Sequence, residues 1–126
     1  MQDKDVLVFI NEASKQSGAT QRAIRLYESI GLMRVNRSGK YRVYSQENIK
    51  TIKMIKEAQT IGISLSEMVA LRKNEEDFDW KRVSELLVKK QESVDNEIKD
   101  LELKKQRIID YRISIDNCIR SLDSDL

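Results

Sequence analysis

From Trp80 onward one position in seven is apolar without a break: Trp80, Leu87, Val94, Leu101, Ile108, Ile115 and Leu122. A sustained period of seven is that of a helix laid along another helix. The spacing predicts one long helix of about 35–40 residues, or about 50–60 Å at 1.5 Å per residue. The companion seam is less clean. One frame places Gln91, Ile98, Lys105, Arg112 and Ile119 there, and the other places Lys90, Glu97, Lys104, Tyr111 and Cys118. A helix of that length cannot pack on a small head alone, so a partner helix is expected, most simply from a second copy of the chain.

The first half of the chain has shorter periods, punctuated by glycine. Ile10, Ala13 and Ser14 lie at helical spacing, and Gly18 follows as a C-terminal stop. Thr20 is placed to cap a second helix, TQRAIRLYESIG, which Gly31 closes. Helix, tight glycine turn, helix is the outline of a helix-turn-helix. Between Met33 and Tyr44 the period changes. Val35, Tyr41, Val43 and Tyr44 favour strands, Ser38-Gly39 is a turn dipeptide, and Tyr41 and Val43 alternate with Lys40 and Arg42. The segment reads as a short hairpin with one cationic face.

Ser45 is expected to cap a third helix, with Ile49, Ile52, Ile55 and Ala58/Gln59 along one stripe and Gly62 at its end. Ser64 and Glu67 have capping-box spacing, flanked by Ile63 and Met68 as a hydrophobic staple, and open a short helix to about Leu71. The acidic stretch NEEDFD then leads to the long helix, which either Asp77 or Asp79 can cap. The expected division is a helix-turn-helix head over residues 1–73, then a linker and long helix over 74–126.

Charge alters this picture more than bulk composition does. The 126 residues include 23 basic and 21 acidic side chains, a net of only +2. Up to Lys73 there are 13 basic against 7 acidic residues, and beyond it 10 against 14. A basic head is thus joined to an acidic tail, an asymmetry that points to nucleic acid at one end. Absence of histidine excludes imidazole catalysis, Ser-His-Asp triads and His-ligated metal sites within one chain. The single cysteine, Cys118, cannot form an internal disulfide. No apolar run approaches a membrane span and no signal-peptide pattern follows Met1, so a soluble cytoplasmic protein is expected.

On the second helix Ala23, Ile24, Tyr27 and Ile30 follow core spacing, while Gln21, Arg22, Arg25 and Ser29 share the opposite face. Arginine can read guanine O6 and N7 bidentately, and glutamine can do the same for adenine, so this face suits base edges in a major groove. Taken alone it could equally be a solvated helix face. Its neighbourhood favours the former. From Gly18 to Tyr44 there are six cations (Arg22, Arg25, Arg34, Arg37, Lys40, Arg42) and one anion, Glu28. Tyrosines 27, 41 and 44 sit among them, with hydroxyls able to meet phosphate while their rings pack inward. Helix into the groove and hairpin onto the backbone is a winged-helix arrangement.

The stretch I-N-E-A-S-x-x-S-G-A-T-x-x-A-I-R-L-Y-E-x-x-G-L-M, from Ile10 to Met33, resembles the opening of MerR-type transcription regulators. Arg37…Tyr41-Arg42-Val43-Tyr44 and the later IGISLSEM, Ile61 to Met68, continue the match, and the heptad tail is similar to that family's dimerisation helix. The resemblance implies a mainly α protein: a winged helix-turn-helix head with a short β-hairpin wing, and a long helix forming an antiparallel coiled-coil homodimer. It further implies promoter DNA as partner, each head on one half of a palindromic operator, and a dimer that distorts this DNA so that RNA polymerase engages it. Thr20, Gln21, Arg22, Arg25 and Tyr27, with Arg37, Lys40, Tyr41 and Arg42 of the wing, are the expected DNA contacts. Trp80, Leu87, Val94, Leu101, Ile108 and Ile115 are the expected dimer contacts.

Four departures stand out. Leu26 occupies a usual aromatic position and is expected to be a core exchange. Val35 replaces a proline, which removes a restraint on the lead-in to the wing. Lys40 takes the place of a glycine before Tyr-Arg, and the wing is one residue shorter, with Gly39 displaced by one. Metal-sensing members place a cysteine or an equivalent residue near the start of the long helix, about where Trp80 stands, and paired cysteines in a loop after it. The tail here offers only Cys118, so thiol-based metal sensing is not expected, nor is an appended drug-binding domain. No cofactor is expected, and the effector is unknown. Alternatives are an architectural or recombination-accessory DNA-binding protein, and a coiled-coil protein whose head binds protein. Glu28, Glu47 and Glu67 fit helix-surface, first-turn and capping roles, so an enzyme is not expected.

Overall fold

The computed structural model describes residues 6–74 and 77–124. It is mainly helical, in the order α1 (Ile10–Ser17), α2 (Gln21–Ser29), β1 (Asn36–Ser38), β2 (Tyr41–Val43), α3 (Gln46–Thr60), α4 (Leu65–Ala70) and α5 (Trp80–Ser124). The chain divides into one unit, Met1–Ser84, and a second, Glu85–Leu126. Of the acidic linker, Glu75 and Glu76 lie outside the described residues.

In the first unit, apart from α1, whose N-cap is Phe9, each helix starts where a side-chain oxygen is available to an orphan backbone N–H. Thr20 accepts from the Ala23 N–H at 3.1 Å. Ser64 and Glu67 form the expected capping box. Ser45 forms a second one with Asn48, which serves in place of the commoner glutamate or glutamine. Asp79, rather than Asp77, caps α5 by accepting from the Arg82 N–H at 3.3 Å. Asp77 instead takes the Phe78 N–H and the Trp80 indole N–H, at 2.8 and 3.0 Å.

The helix-turn-helix corner is set at Gly18, whose φ of 78° lies in the left-handed region. Around it the Ser14 hydroxyl donates to the Ala19 carbonyl, the Ser17 hydroxyl accepts from the Ala19 N–H, and Lys56 of α3 donates to the Gly18 carbonyl. These bonds satisfy the corner's polar groups as α1 packs on α2 and α3. Ile24, Ile52, Ile55 and Tyr44 are the largest fully buried side chains, and each isoleucine contributes about 1.5–3 kcal/mol on burial. Ala13, Ala19, Tyr27, Leu32, Met33, Val43, Ile49, Ile63, Met68 and Leu71 complete the core.

The hairpin pairs Asn36 with Val43, Arg37 with Arg42 and Ser38 with Tyr41. Its loop is therefore Gly39-Lys40, one position beyond the expected Ser38-Gly39 dipeptide. Gly39 has φ 62° and no described non-glycine residue has positive φ, so the turn is of the type II′ kind, which needs glycine only at its first central position. Displacing the glycine by one is thus what lets Lys40 occupy the tip. Val35 lies outside the strands. The lead-in is held instead by Asn48, whose amide donates to the Arg34 carbonyl at 3.0 Å.

In the second unit, α5 continues for a total of 45 residues, longer than the 35–40 expected, because nothing in the tail interrupts it: all four glycines precede it and proline is absent. All seven heptad-seam residues from Trp80 to Leu122 are exposed, by 40–64%.

Gly18→Ala should cost about 1–2 kcal/mol, the penalty of a side chain in left-handed backbone, measured by urea denaturation. Among the described residues the one atom a Cβ would crowd is Lys56 Nζ, the far end of a long side chain, at 3.3 Å, so a variant as stable as the parent would contradict the assignment of strain to backbone.

Candidate nucleic-acid interface

The exposed side of α2 is built by its own periodicity. With Ile24 and Tyr27 turned inward, Arg22, Arg25, Leu26 and Ser29 are left facing outward. Arg22 and Arg25 have no hydrogen-bond or ion-pair partner among the described residues. Gln21 is half-buried beside them, and Thr20 is exposed at the helix start. As a cap Thr20 uses its oxygen lone pair, which leaves its hydroxyl proton to donate elsewhere. Leu26 corrects the sequence-based expectation. It is 45% exposed rather than part of the core, because it falls one turn after Arg22, on the outward stripe.

The wing is fastened to the rest of the head at three points. Val8 and Tyr44 exchange both backbone hydrogen bonds, at 3.0 and 2.7 Å, which adds a strand-like contact ahead of α1. Asn48 holds Arg34, as above. Between α2 and β2, Arg42 Nε donates to Glu28 Oε2 at 2.6 Å, with side chains 34% and 22% exposed. Glu28 thus does more than decorate a helix surface: it is the acceptor that docks the wing. The signal in the sequence was its isolation, one anion among six cations. The Val8 and Asn48 ties had no such signal.

The three tyrosines separate into different roles. Tyr41 is 59% exposed, packs edge-on against Phe9 with ring centroids 5.9 Å apart, and carries Lys40 Nζ over its face at 5.5 Å. Tyr27 is buried, and its hydroxyl donates to Gln59 Oε1 at 2.9 Å. A phosphate taking that proton would have to displace Gln59. Tyr44 is wholly buried and its hydroxyl has no partner, so it is a core residue and cannot meet phosphate as the sequence suggested. Burial pushes both Tyr27 and Tyr44 above the ordinary tyrosine pKa of 10. For Tyr44 the nearby Glu28 carboxylate adds to the rise, while Arg42, Arg25 and Arg37 oppose it.

Arg37 is exposed, with only a long 3.5 Å contact to the Lys40 carbonyl. Arg25, Lys40, Tyr41 and Arg42, with Phe9 and Ile10, line a cavity of about 330 Å³ where helix and wing meet. The structure therefore brings Arg25, Lys40, Tyr41 and Arg42 together around one cationic recess. It sets Arg22 outward on the helix, Arg37 on the wing, and Tyr27 behind them in the core. Chemically, this surface offers hydrogen-bond donors and positive charge and suits a polyanion. Trp80 and Phe78, whose rings lie 5.7 Å apart, line a separate hollow of about 430 Å³ with Leu32, Met33 and Met54. Cys118 is exposed on α5. No described helix is long and apolar enough to cross a membrane.

Residues 9–75 match the family described as MerR HTH family regulatory protein. The HTH-type transcriptional regulator HmrR of Rhizobium leguminosarum bv. viciae is 33% identical over 95 residues, covering 73% of this chain and 74% of that protein. HmrR of Sinorhizobium medicae is 38% identical over 64 residues, 49% of this chain; the match spans only 44% of that relative's length. Among solved structures, a putative MerR family transcriptional regulator from Listeria monocytogenes superposes with a TM-score of 0.60 at 28% identity, covering 84% of this chain and 83% of that one.

Two outcomes follow for the buried tyrosines. Tyr44→Phe should leave urea stability unchanged or raise it by up to about 1 kcal/mol, because it removes an orphan hydroxyl; a loss above that would reveal a hidden partner. Because the folded pKa values of Tyr27 and Tyr44 lie above 10, their contribution to stability is complete below pH 10 and falls as pH rises through the folded values. Tyrosinate absorbance during alkaline titration should place two of the four tyrosines above the ordinary value. Normal titration of all four would contradict the burial.

Proposed function

The chain belongs to the MerR family of helix-turn-helix regulatory proteins, and from that premise we propose that it is a sequence-specific, DNA-binding transcription regulator. The observation that carries this reading is the pair Arg22 and Arg25, exposed and without ion-pair partners among the described residues, on a helix whose adjoining wing is clasped to it by Glu28 and Arg42. A helix with free guanidinium groups enters the major groove, and the wing cations Arg37 and Lys40 lie over phosphate.

The protein acts as a homodimer in the cytoplasm. Support comes from α5, a helix of 45 residues whose seven seam residues, Trp80 to Leu122, are all exposed. Antiparallel pairing of two such helices puts a cationic head at each end, over a palindromic operator whose half-sites fall on one face of the duplex. Two chains carry a formal charge of +4, twice the +2 of one, concentrated at the two heads. The dimer distorts the promoter so that RNA polymerase engages it. The reading requires no cofactor.

Footprinting should reveal a near-palindromic site. Affinity should fall steeply with salt, as neutralisation of several phosphates demands. Arg22→Ala or Arg25→Ala should each cost roughly 1–3 kcal/mol and relax preference at one base pair, whereas Lys40→Ala should weaken all sequences alike. Genomic selection that recovers no preferred sequence would defeat the specific-binding reading, and a monomer mass in light scattering at micromolar concentration would defeat the dimer. Transcription in vitro from the recovered promoter, unchanged by added protein, would favour an architectural role instead.

A further inference from the structure

The outward stripe of α2 contains one residue for which neither core packing nor phosphate binding gives a reason. Arg22, Arg25, Leu26 and Ser29 stand at the i, i+3, i+4 and i+7 positions that make a single helix face, and all four are exposed. The core of the same helix is filled from the other side by Ile24 and Tyr27. Leu26 sits one turn beyond Arg22 and directly after Arg25, with 45% of its surface open and Ser29 as its next neighbour along the face. A leucine on a solvated cationic face contributes nothing to charge attraction or hydrogen bonding. It gains free energy only from an apolar surface brought against it.

The floor of a DNA major groove presents one apolar group to such a side chain: the C5-methyl of thymine. The remaining edges are hydrogen-bond donors and acceptors. From this placement, and resting on the reading of α2 as the groove-entering helix, we propose that Leu26 is a specificity-determining residue that packs against a thymine methyl in each half-site. The two arginines draw the face onto the duplex, and the leucine then distinguishes thymine from cytosine. Cytosine lacks the methyl and leaves its N4 amino donor covered by hydrocarbon, unpaired, and costly to bury. Geometry also fixes roughly where this thymine lies. Leu26 is four residues from Arg22, about 6 Å along the helix at 1.5 Å per residue. At about 3.4 Å per base step, that places the thymine one to two base pairs from the position read by Arg22.

The experiment uses the full chain and the duplex recovered by selection with it, with thymines replaced one at a time by deoxyuridine, which removes the methyl and nothing else. At constant salt the wild-type protein should bind about fourfold more weakly when one particular thymine per half-site is replaced, the worth of a single methyl withdrawn from water. Leu26→Ala, an exposed change whose folding is checked by its melting curve, should bind the thymine and uracil duplexes equally. Arg22→Ala should retain the thymine preference while losing discrimination one to two base pairs away. The proposal is overturned if no single uracil weakens wild-type binding, or if the same loss persists in Leu26→Ala. A wild-type protein that selects no sequence at all would instead remove the base-reading helix, and this inference with it. A sequence-selective protein indifferent to uracil would sink the role of Leu26 alone.

Discussion

The ion pair between Glu28 and Arg42 is the contact through which two otherwise separate pieces become one surface. A two-stranded hairpin of three residues a side does not hold its own geometry in water, and this wing has a two-residue loop, with β1 fully exposed and only Val43 of β2 buried. Its orientation must come from the body of the head. The backbone exchange between Val8 and Tyr44 fixes the foot of β2, and Asn48 fixes the lead-in at Arg34. Among the described residues, the hydrogen bond that ties the wing to α2 itself is that of Arg42 to Glu28. Partial burial of both groups shields the pair from the screening that makes fully exposed ion pairs weak. One cation of the basic block is thereby used for architecture, while Arg22 and Arg25 have no ion-pair partner among the described residues.

That division explains how a nearly neutral protein can carry a polyanion-binding surface. The head concentrates its positive charge on α2 and the wing, while the acidic excess lies in a long helix whose charges flank an apolar seam. Within the head, anions are placed structurally. Glu28 docks the wing, and Glu67 and Asp79 cap helices. No described carboxylate pairs with Arg22 or Arg25, so neither guanidinium group would have to break an internal ion pair to meet a polyanion.

Much of this was legible in the residues. Gly18, Thr20, Ser45, Ser64 and Glu67 have local effects that depend on neighbours within three or four positions, and the corresponding turns and caps are present. The heptad repeat likewise needed only its own period, although the helix runs further than the seam alone suggested. Long-range pairings were not legible. The Val8 strand contact, the Asn48 amide on Arg34 and the hydroxyl of Tyr27 on Gln59 join residues 14 to 36 positions apart, brought together by tertiary packing. Tyr44 and Leu26 show the same limit from opposite sides. A tyrosine in a cationic run looked like a phosphate ligand and is core; a leucine in a helix looked like core and is surface. In each case the deciding fact was which way the element faces, and tertiary packing sets that.

Glu28→Ala separates electrostatics from architecture most directly, because the two predict opposite signs. If Glu28 were only an anion near a DNA-binding surface, its removal would raise the positive potential and tighten binding. If it positions the wing, removal should weaken binding to the selected duplex by about tenfold, the scale of a charge-assisted hydrogen bond. The base preference set by α2 and the helical content of the head should remain as in the parent. Equal or tighter binding by the folded variant would contradict the role of this ion pair.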